Sequence, residues 1–470
     1  MLRMTFGIIS ASGFDLFKVF SLAYLHQCRG SYNFPKLPHR SYRGFGMEMP
    51  TSYATEICMT ETIELEIEGI AQGGDGVGRL EELVVFVSGA IPGERVRANV
   101  YERHTRFLRA TVSEILRAAP ERIAPRVSPG DHVPWQHIDY PAQVRLKGAI
   151  VAEQIRKFLP NIAVPVQPVI AAPQPWGYRN SARLHVDGSA LGYHATGTKT
   201  VVDLADDPLL LPVLREALAG LRQLSFAGLI NEVTLRASAA YGYAAARLSP
   251  TLPADYPALV RLATSWMAST PGLAGITLND EPLLGTAHIY DELGDVVFRL
   301  SLNSFFQVNH AQAERMVAIV QTALAPHGGR LLDAYSGVGS FALPLARFYD
   351  EVIAVEAHEP AVHDGRQSAR DNQIQNVHFI AGVAERTVAN LPGSFQAAIL
   401  DPPRRGCHPA LISAIIAHAP ARIIYISCHP GLIGRDLMPL LTADYQITLV
   451  QPIDLFPQTP HIETIIALQR

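Results

Sequence analysis

From Arg330 to the C-terminus the chain alternates short, unbroken apolar runs with helical segments. The runs are Leu331–Ala334, Glu351–Glu356, Ala397–Leu400 and Arg422–Ser427. Apolar runs without a polar face suit strands covered on both sides. Strands that alternate with helices build βαβ units and a mostly parallel sheet. Open sheets of this kind take ligands at the carboxyl ends of their strands. The residues at those ends, Asp333, Glu356, Asp401 and Cys428, are therefore the ones to read for chemistry.

The first exit runs Asp333-Ala334-Tyr335-Ser336-Gly337-Val338-Gly339-Ser340-Phe341, with a helix expected near Phe341. Gly337 and Gly339 permit close backbone approach to a ligand. The loop is not a full dinucleotide fingerprint, so a dinucleotide is disfavoured. About twenty residues on, Glu356 ends a second strand, where a carboxylate can bind ribose hydroxyls; otherwise it is a helix cap or surface ion pair. Together these fit an S-adenosylmethionine pocket. Asp401 is followed by Pro402-Pro403-Arg404-Arg405-Gly406. Two prolines fix the backbone and end the ladder, and Arg404 and Arg405 offer donors for a phosphate or a base carbonyl.

Cys428 leaves its strand just before His429-Pro430. A thiol acts as a nucleophile only as thiolate, and its ordinary pKa of ~8.5 leaves it mostly protonated at neutral pH. It needs a cationic or hydrogen-bonding neighbour; Arg404, Arg405 and His429 are the candidates. Cys407, in a loop, reads as structural. Glu463 opens the last apolar strand, where desolvation can raise its pKa to suit a general base; His461 is the alternative base. In Ser304-Phe305-Phe306-Gln307-Val308-Asn309 the aromatics are ordinarily core, yet one of them can stack on a base, with Phe305 taken as the substrate-binding candidate. Gln307 can bond a cofactor carboxylate or amine.

A chain of 470 residues, 48% hydrophobic, suits two to four domains. Residues 1–59 are expected to be a disordered or mis-started extension, with Met47, Met49 and Met59 as later starts. Over 60–118, alternation in Thr62–Ile70 and the strands Leu83–Val87, Val96–Tyr101 and Ala110–Ile115 predict a small barrel; Gln72–Gly78 reads as a glycine-rich turn. Residues 119–300 form a proline-punctuated linker, a helix over Gln143–Leu159 and a central α+β domain. Residues 301–470 begin with a helix over Ala311–Leu324 and hold the parallel sheet.

Net charge is −4, so the molecule as a whole does not advertise a polyanion partner. An arginine run from Arg95 to Arg126 is either a solvated face or an RNA footprint on the barrel. Four scattered cysteines suggest no disulfide framework and a reducing cytosol. No apolar run is long enough to span a bilayer. No obligate protein partner is indicated.

The motifs Ser-Phe-Phe-Gln-Val-Asn, Asp-x-Tyr-Ser-Gly-x-Gly-Ser-Phe, Asp-Pro-Pro-Arg-x-Gly, Ser-Cys-His-Pro and Phe-Pro-x-Thr-x-His-x-Glu stand in this order. Over about Thr60–Arg470 the chain resembles the S-adenosylmethionine-dependent RNA uracil-5-methyltransferases, and its barrel resembles their OB-like TRAM domain. The resemblance implies a Rossmann-like class I methyltransferase domain. It implies Cys428 as nucleophile and Glu463 as base, with Gln307, Tyr335, Glu356 and Asp401 contacting the methyl donor. Addition of the thiolate to carbon 6 of uracil would make carbon 5 nucleophilic, Glu463 would take the carbon-5 proton, and elimination would free Cys428. The target uridine must leave its stack. Many TRAM-bearing members bind a [4Fe–4S] cluster before a Gln-His-x-x-Tyr segment, here Gln136-His137-Ile138-Asp139-Tyr140. This chain has no cysteine there: Val127, Gly130 and Val133 precede the segment, and Asp207 stands for the later ligand. A cluster needs thiolates, so none is expected.

Three other readings compete. An RNA cytosine-5-methyltransferase would carry cysteine where Arg404 stands. An amino-methyltransferase would carry an aromatic there. A non-catalytic RNA-binding relative would need neither Cys428 nor Glu463. The barrel tilts the expected target toward ribosomal rather than transfer RNA.

Overall fold

The computed structural model describes residues 61–128, 132–160 and 164–470. The expectations for residues 1–59, including Cys28 and Cys58, lie outside the described residues.

The barrel consists of β1 (Thr62–Ile70), β2 (Gly76–Leu80), β3 (Leu83–Ser88), β4 (Arg95–Arg103) and β5 (Phe107–Arg117), closed in the order β1-β2-β3-β5-β4. Alternate residues of β1, Ile63, Leu65 and Ile67, point inward onto Val85, Val87, Val96 and Leu108. This is the two-residue period of a strand with one buried face. The predicted glycine turn is shorter than expected, because β2 begins at Gly76. Glycine is a weak strand former, but at Gly78 a Cβ would stand 2.4 Å from the carbonyl oxygen of Glu66, so only glycine permits this strand approach. The arginine run is largely neutralised across the strands. Arg97 pairs with Glu64 (2.7 Å), Arg103 with Glu61 (2.6 Å), Arg117 with Glu66 (2.6 Å) and Arg109 with Asp75 (3.2 Å). Arg106, at the β4–β5 tip, enters no ion pair among the described residues.

Helix α1 (Tyr140–Phe158) is capped by Asp139, which accepts from the Ala142 amide at 2.9 Å, with proline in its first turn. Two helices, α2 (Pro212–Arg222) and α3 (Tyr256–Ser269), cover the central sheet. Its strands are β6 (Ser181–Asp187), β7 (Ala190–His194), β8 (Val201–Asp203), β9 (Ile230–Ala237), β10 (Ala244–Pro250), β11 (Leu273–Leu278) and β12 (Glu281–Gly285). Leu218, Leu221, Leu259 and Trp266 fill the helix–sheet layer.

The hairpin of β13 (His288–Leu293) and β14 (Val296–Ser301) packs elsewhere. Ile289, Phe298 and Leu300 share a core with Met316 and Phe341 of the C-terminal domain. Helix α1 likewise leaves the central domain: Val151 and Ile155 pack with Leu437, on the other face of the C-terminal sheet. Both segments before residue 301 are thus physical parts of the C-terminal layer structure.

That domain contains α4 (His310–Ala323), β15 (Arg330–Ala334), β16 (Glu351–Glu356), α5 (Glu359–Asp371), β17 (Val377–Ala381), β18 (Ala397–Leu400), α6 (Pro409–His418), β19 (Arg422–Ser427), α7 (Ile433–Thr442), β20 (Gln446–Ile453) and β21 (Glu463–Gln469). The sheet order is β17-β16-β15-β18-β19-β21-β20. All pairs from β17 to β19 are parallel, while β21 runs antiparallel to β19 and β20. The order reverses between β15 and β18, which is the switch point where such sheets open a crevice. Among the described residues no helix is long and apolar enough to cross a membrane.

Candidate active site

The parallel strands bring Asp333, Glu356, Asp401 and Cys428 to one edge of the sheet. Antiparallel β21 completes the set. Ser427 pairs with Thr464 in the β19–β21 ladder, so the next residues outward, Cys428 and Glu463, face each other across the strand ends. The predicted nucleophile and the predicted base are thus joined by register.

Cys428 is half-buried. Burial, then the nearby Glu463 carboxylate, pushes its thiol up to about 11; the Arg404 guanidinium opposes this. Glu463 is 7% exposed and its Oε2 has no hydrogen-bond partner among the described residues. Burial and then Asp401 raise its carboxyl well above the usual range, and Arg404 again pulls it down. Arg404 therefore acts on both groups, which singles it out from the three cations considered in the sequence. Its Nη2 lies 3.3 Å from Nε2 of His461. Burial, followed by Arg404, holds the His461 imidazole down to about 4, which makes it a weak base. His429 meets the barrel: Nε2 of Gln72 lies 3.0 Å from its Nδ1. Among the described residues Arg405 donates no side-chain hydrogen bond to the site; its carbonyl accepts from Arg435 at 2.7 Å.

The glycine loop leaves β15 in unusual backbone conformations, with φ of +69° at Tyr335, +56° at Gly337 and +90° at Gly339. At Gly337 a Cβ would meet nothing within 4 Å, so its backbone borders open space. At Gly339 a Cβ would lie 2.7 Å from Phe379, so its small size also serves packing against β17. Glu356 accepts from the Gly337 amide (2.9 Å) and the His358 amide (2.7 Å), which pins the loop to the end of β16. Asp333 is buried; Oδ2 accepts from Ala342 at 3.0 Å and Oδ1 has no partner among the described residues. Burial, then Asp401, pushes it up to about 8, and burial pushes Asp401 up to about 7. Tyr335 is half-buried against the 404–408 loop, and burial, then Cys407, pushes its hydroxyl up to about 12.

Of the two adjacent aromatics, Phe306 is core and packs in a tilted arrangement against Phe298, with ring centroids 5.5 Å apart. Phe305 is 63% exposed and is the one free to meet a base. Gln307 is buried, and its carbonyl accepts from Asn180 of the central domain at 3.0 Å. Cys407 is buried and its amide donates to Asp436 at 2.8 Å. Burial and Asp436 raise its thiol, in line with a structural role.

Two supports were missed in the sequence. Asp436 on α7 accepts from the Tyr425 hydroxyl (2.8 Å), the Cys407 amide and Arg435 (2.7 Å), so it clamps the loop after Asp401. On α1, Lys147 is wholly buried and pairs with buried Asp454 at 2.6 Å, to which Tyr140 also donates at 3.0 Å. Gln143 donates to the Gln458 side chain at 2.8 Å and accepts from its amide at 2.9 Å. These bonds shape the 454–460 segment that leads to Glu463. Their signal is present in the sequence: Tyr140, Gln143 and Lys147, spaced three and four apart, put a polar line on one face of a helix.

Val127 and Val133, at positions where cluster-binding relatives would carry sulfur, pack with Tyr178, Leu209 and Trp176. Asp207 is buried and accepts from the Tyr193 hydroxyl (2.8 Å) and the Leu209 amide (2.9 Å). Among the described residues no group of three or more His, Cys, Asp or Glu is arranged to hold a metal ion.

Residues 276–470 match the family model for tRNA (Uracil-5-)-methyltransferase, and residues 58–113 match the TRAM domain. An uncharacterized RNA methyltransferase of Thermosynechococcus vestitus is 34% identical over 442 residues, covering 87% of this chain and 98% of the relative. One from Lactiplantibacillus plantarum is 33% identical over 440 residues, covering 86% and 91%. Among solved structures, the Pyrococcus abyssi tRNA (uracil-54, C5)-methyltransferase in complex with S-adenosyl-L-homocysteine shares the fold. Its TM-score is 0.68 at 24% identity, over 86% of this chain and 100% of that one. With relatives this similar along nearly their whole length, and with both family models in register with the barrel and the catalytic sheet, the chain belongs to the TRAM-bearing, S-adenosylmethionine-dependent RNA uracil-5-methyltransferases.

Proposed function

We propose that Cys428 is the covalent nucleophile and Glu463 the general base in methylation of carbon 5 of a uridine in folded RNA. The observation that carries this is the β19–β21 register, which sets the thiol opposite a buried carboxylate, with Arg404 acting on both. Cys428 first loses its thiol proton to solvent; the thiolate Sγ then bonds to carbon 6, and the pair of electrons displaced from the 5,6 double bond makes carbon 5 nucleophilic. After methylation Glu463 removes the carbon-5 proton, the Sγ–carbon 6 bond breaks, and the double bond reforms. A carboxylate raised by burial is a stronger base than an exposed one, which suits removal of a carbon-bound proton. Arg404 offsets negative charge first on sulfur and then on the uracil oxygen. Phe305 stacks on the flipped base.

The residues fit the methyl donor. The backbone at Gly337 borders open space, and Glu356 and Asp401 end the strands on either side of the switch point. Glu356 would bind ribose hydroxyls, and Gln307, Tyr335 and Asp401 would hold the rest. When bound, S-adenosylmethionine supplies an electrophilic sulfonium methyl group.

For the RNA class we favour transfer RNA. The barrel had suggested ribosomal RNA, yet the archaeal structure named for a transfer RNA aligns over 86% of this chain, more than the central and catalytic domains alone supply. The barrel therefore does not separate the two classes, and the family model's name adds weight to transfer RNA. The test is to incubate purified enzyme and S-adenosylmethionine with unmodified transfer RNA and ribosomal RNA separately and assay nucleosides by mass spectrometry. We expect 5-methyluridine in transfer RNA, absent with Cys428→Ala. Product confined to ribosomal RNA would overturn the RNA class, and product surviving Cys428→Ala would overturn the mechanism.

A further inference from the structure

We propose that Gln72 of the barrel is a positioning residue for the loop that carries Cys428, so the barrel contributes to the chemical step as well as to RNA capture. This rests on the reading of Cys428 as nucleophile. The β1–β2 loop reaches the catalytic rim from outside the catalytic domain. Nε2 of Gln72 lies 3.0 and 3.2 Å from the two ring nitrogens of His429, the residue directly after the thiol. The Gln72 amide also covers the next turn: a Cβ on Gly431 would stand 2.6 Å from its Oε1.

Two residues further on, Gly74 wedges against the second catalytic segment. Its carbonyl accepts from Trp135 Nε1 at 3.3 Å, and a Cβ there would lie 2.6 Å from that nitrogen and 2.7 Å from Pro460. Trp135 in turn donates its amide to the Gln458 carbonyl at 3.0 Å. One barrel loop thus touches both the turn after Cys428 and the turn before Glu463. A module whose only task is to grip RNA needs neither contact. Because the loop is fixed to the barrel, strain or order that RNA imposes on the barrel reaches both reacting side chains through it.

The variants are Gln72→Ala, which removes the His429 contact, and Gly74→Val, which forces the wedge apart; Arg106→Ala on the barrel tip is the RNA-binding control. Three readouts are taken on the full chain: RNA Kd, single-turnover methylation at saturating RNA, and iodoacetamide labelling of Cys428 without RNA, followed by peptide mass spectrometry. Loss of one positioning hydrogen bond is expected to slow single turnover about fivefold. Labelling should be at least threefold faster as the turn loosens, with RNA Kd within twofold. In the native contact the Gln72 amide nitrogen donates to the imidazole; Gln72→Glu reverses the bond by accepting from an imidazole N–H, and should recover most of the rate. A raised Kd with unchanged single-turnover and labelling rates would overturn the proposal and leave Gln72 as an RNA contact. If Gly74→Val does not fold, the Gln72 pair still decides the matter. Wild-type activity that survives Cys428→Ala would instead sink the underlying reading, whatever Gln72 does.

Discussion

In the RNA-free enzyme Cys428 should be a protonated, sluggish thiol, and the size of the effect follows from its surroundings. Burial and Glu463 push it up to about 11. At pH 8 that leaves about 0.1% thiolate against about 24% for an ordinary thiol of pKa ~8.5, roughly two hundredfold less. A more basic thiolate is intrinsically more reactive, by about tenfold for a shift of this size. The net expectation is iodoacetamide labelling about twentyfold slower than for an exposed cysteine peptide. The sign with pH is fixed: deprotonation follows rising pH, so the rate should climb close to tenfold per unit from pH 7 to 10 with no plateau. Glu463→Gln removes a negative neighbour and should speed labelling severalfold; Arg404→Gln removes the one opposing cation and should slow it. Peptide mass spectrometry separates Cys428 from buried Cys407. A plateau below pH 8 would mean that the thiolate is already formed before RNA arrives, and the electrostatic account of Cys428, Glu463 and Arg404 would be wrong.

Two further outcomes are expected. Lys147→Met strands the buried Asp454 carboxylate, which should cost ~3–5 kcal/mol in denaturant unfolding; adding Asp454→Asn should restore most of it, and a double variant no better than the single would refute the role of the pair. On the barrel, Arg97 already answers Glu64, an exposed pair worth little, so Arg97→Ala should change RNA Kd less than threefold. Arg106→Ala should weaken binding and lower the salt slope by about one; equal effects of the two would contradict the neutralised face.

What could be read from the sequence was local. The apolar runs of β15, β16, β18 and β19 announce a sheet covered on both faces, and each ends on a residue with chemistry. Strands that break the local rules escaped: β20 carries Pro452 and bends at a bulge, which an edge strand tolerates. In β17 only alternate residues are buried. The sequence placed Cys428 and Glu463 each at a strand terminus, but not opposite one another, because the antiparallel return of β21 is a long-range pairing. The same holds for charge. Arg97 and Glu64 lie 33 residues apart and meet only when β1 and β4 pair, so a run that reads as basic folds into a mostly neutral face. Gln72 and His429 are 357 residues apart, beyond any local signal. Adjacent Phe305 and Phe306 have different fates: Phe306 packs against Phe298 of the hairpin, and Phe305 is left exposed.

Covalent catalysis at Cys428 is tested by RNA bearing 5-fluorouridine, incubated with the enzyme and radiolabelled S-adenosylmethionine. Fluorine cannot leave as a proton, so Glu463 has nothing to remove and the reaction stops after methylation. The account predicts a stable, methylated enzyme–RNA adduct whose peptide maps to Cys428 and which Cys428→Ala abolishes. An active enzyme that binds this RNA and the methyl donor yet forms no adduct, or forms one on another residue, would contradict it.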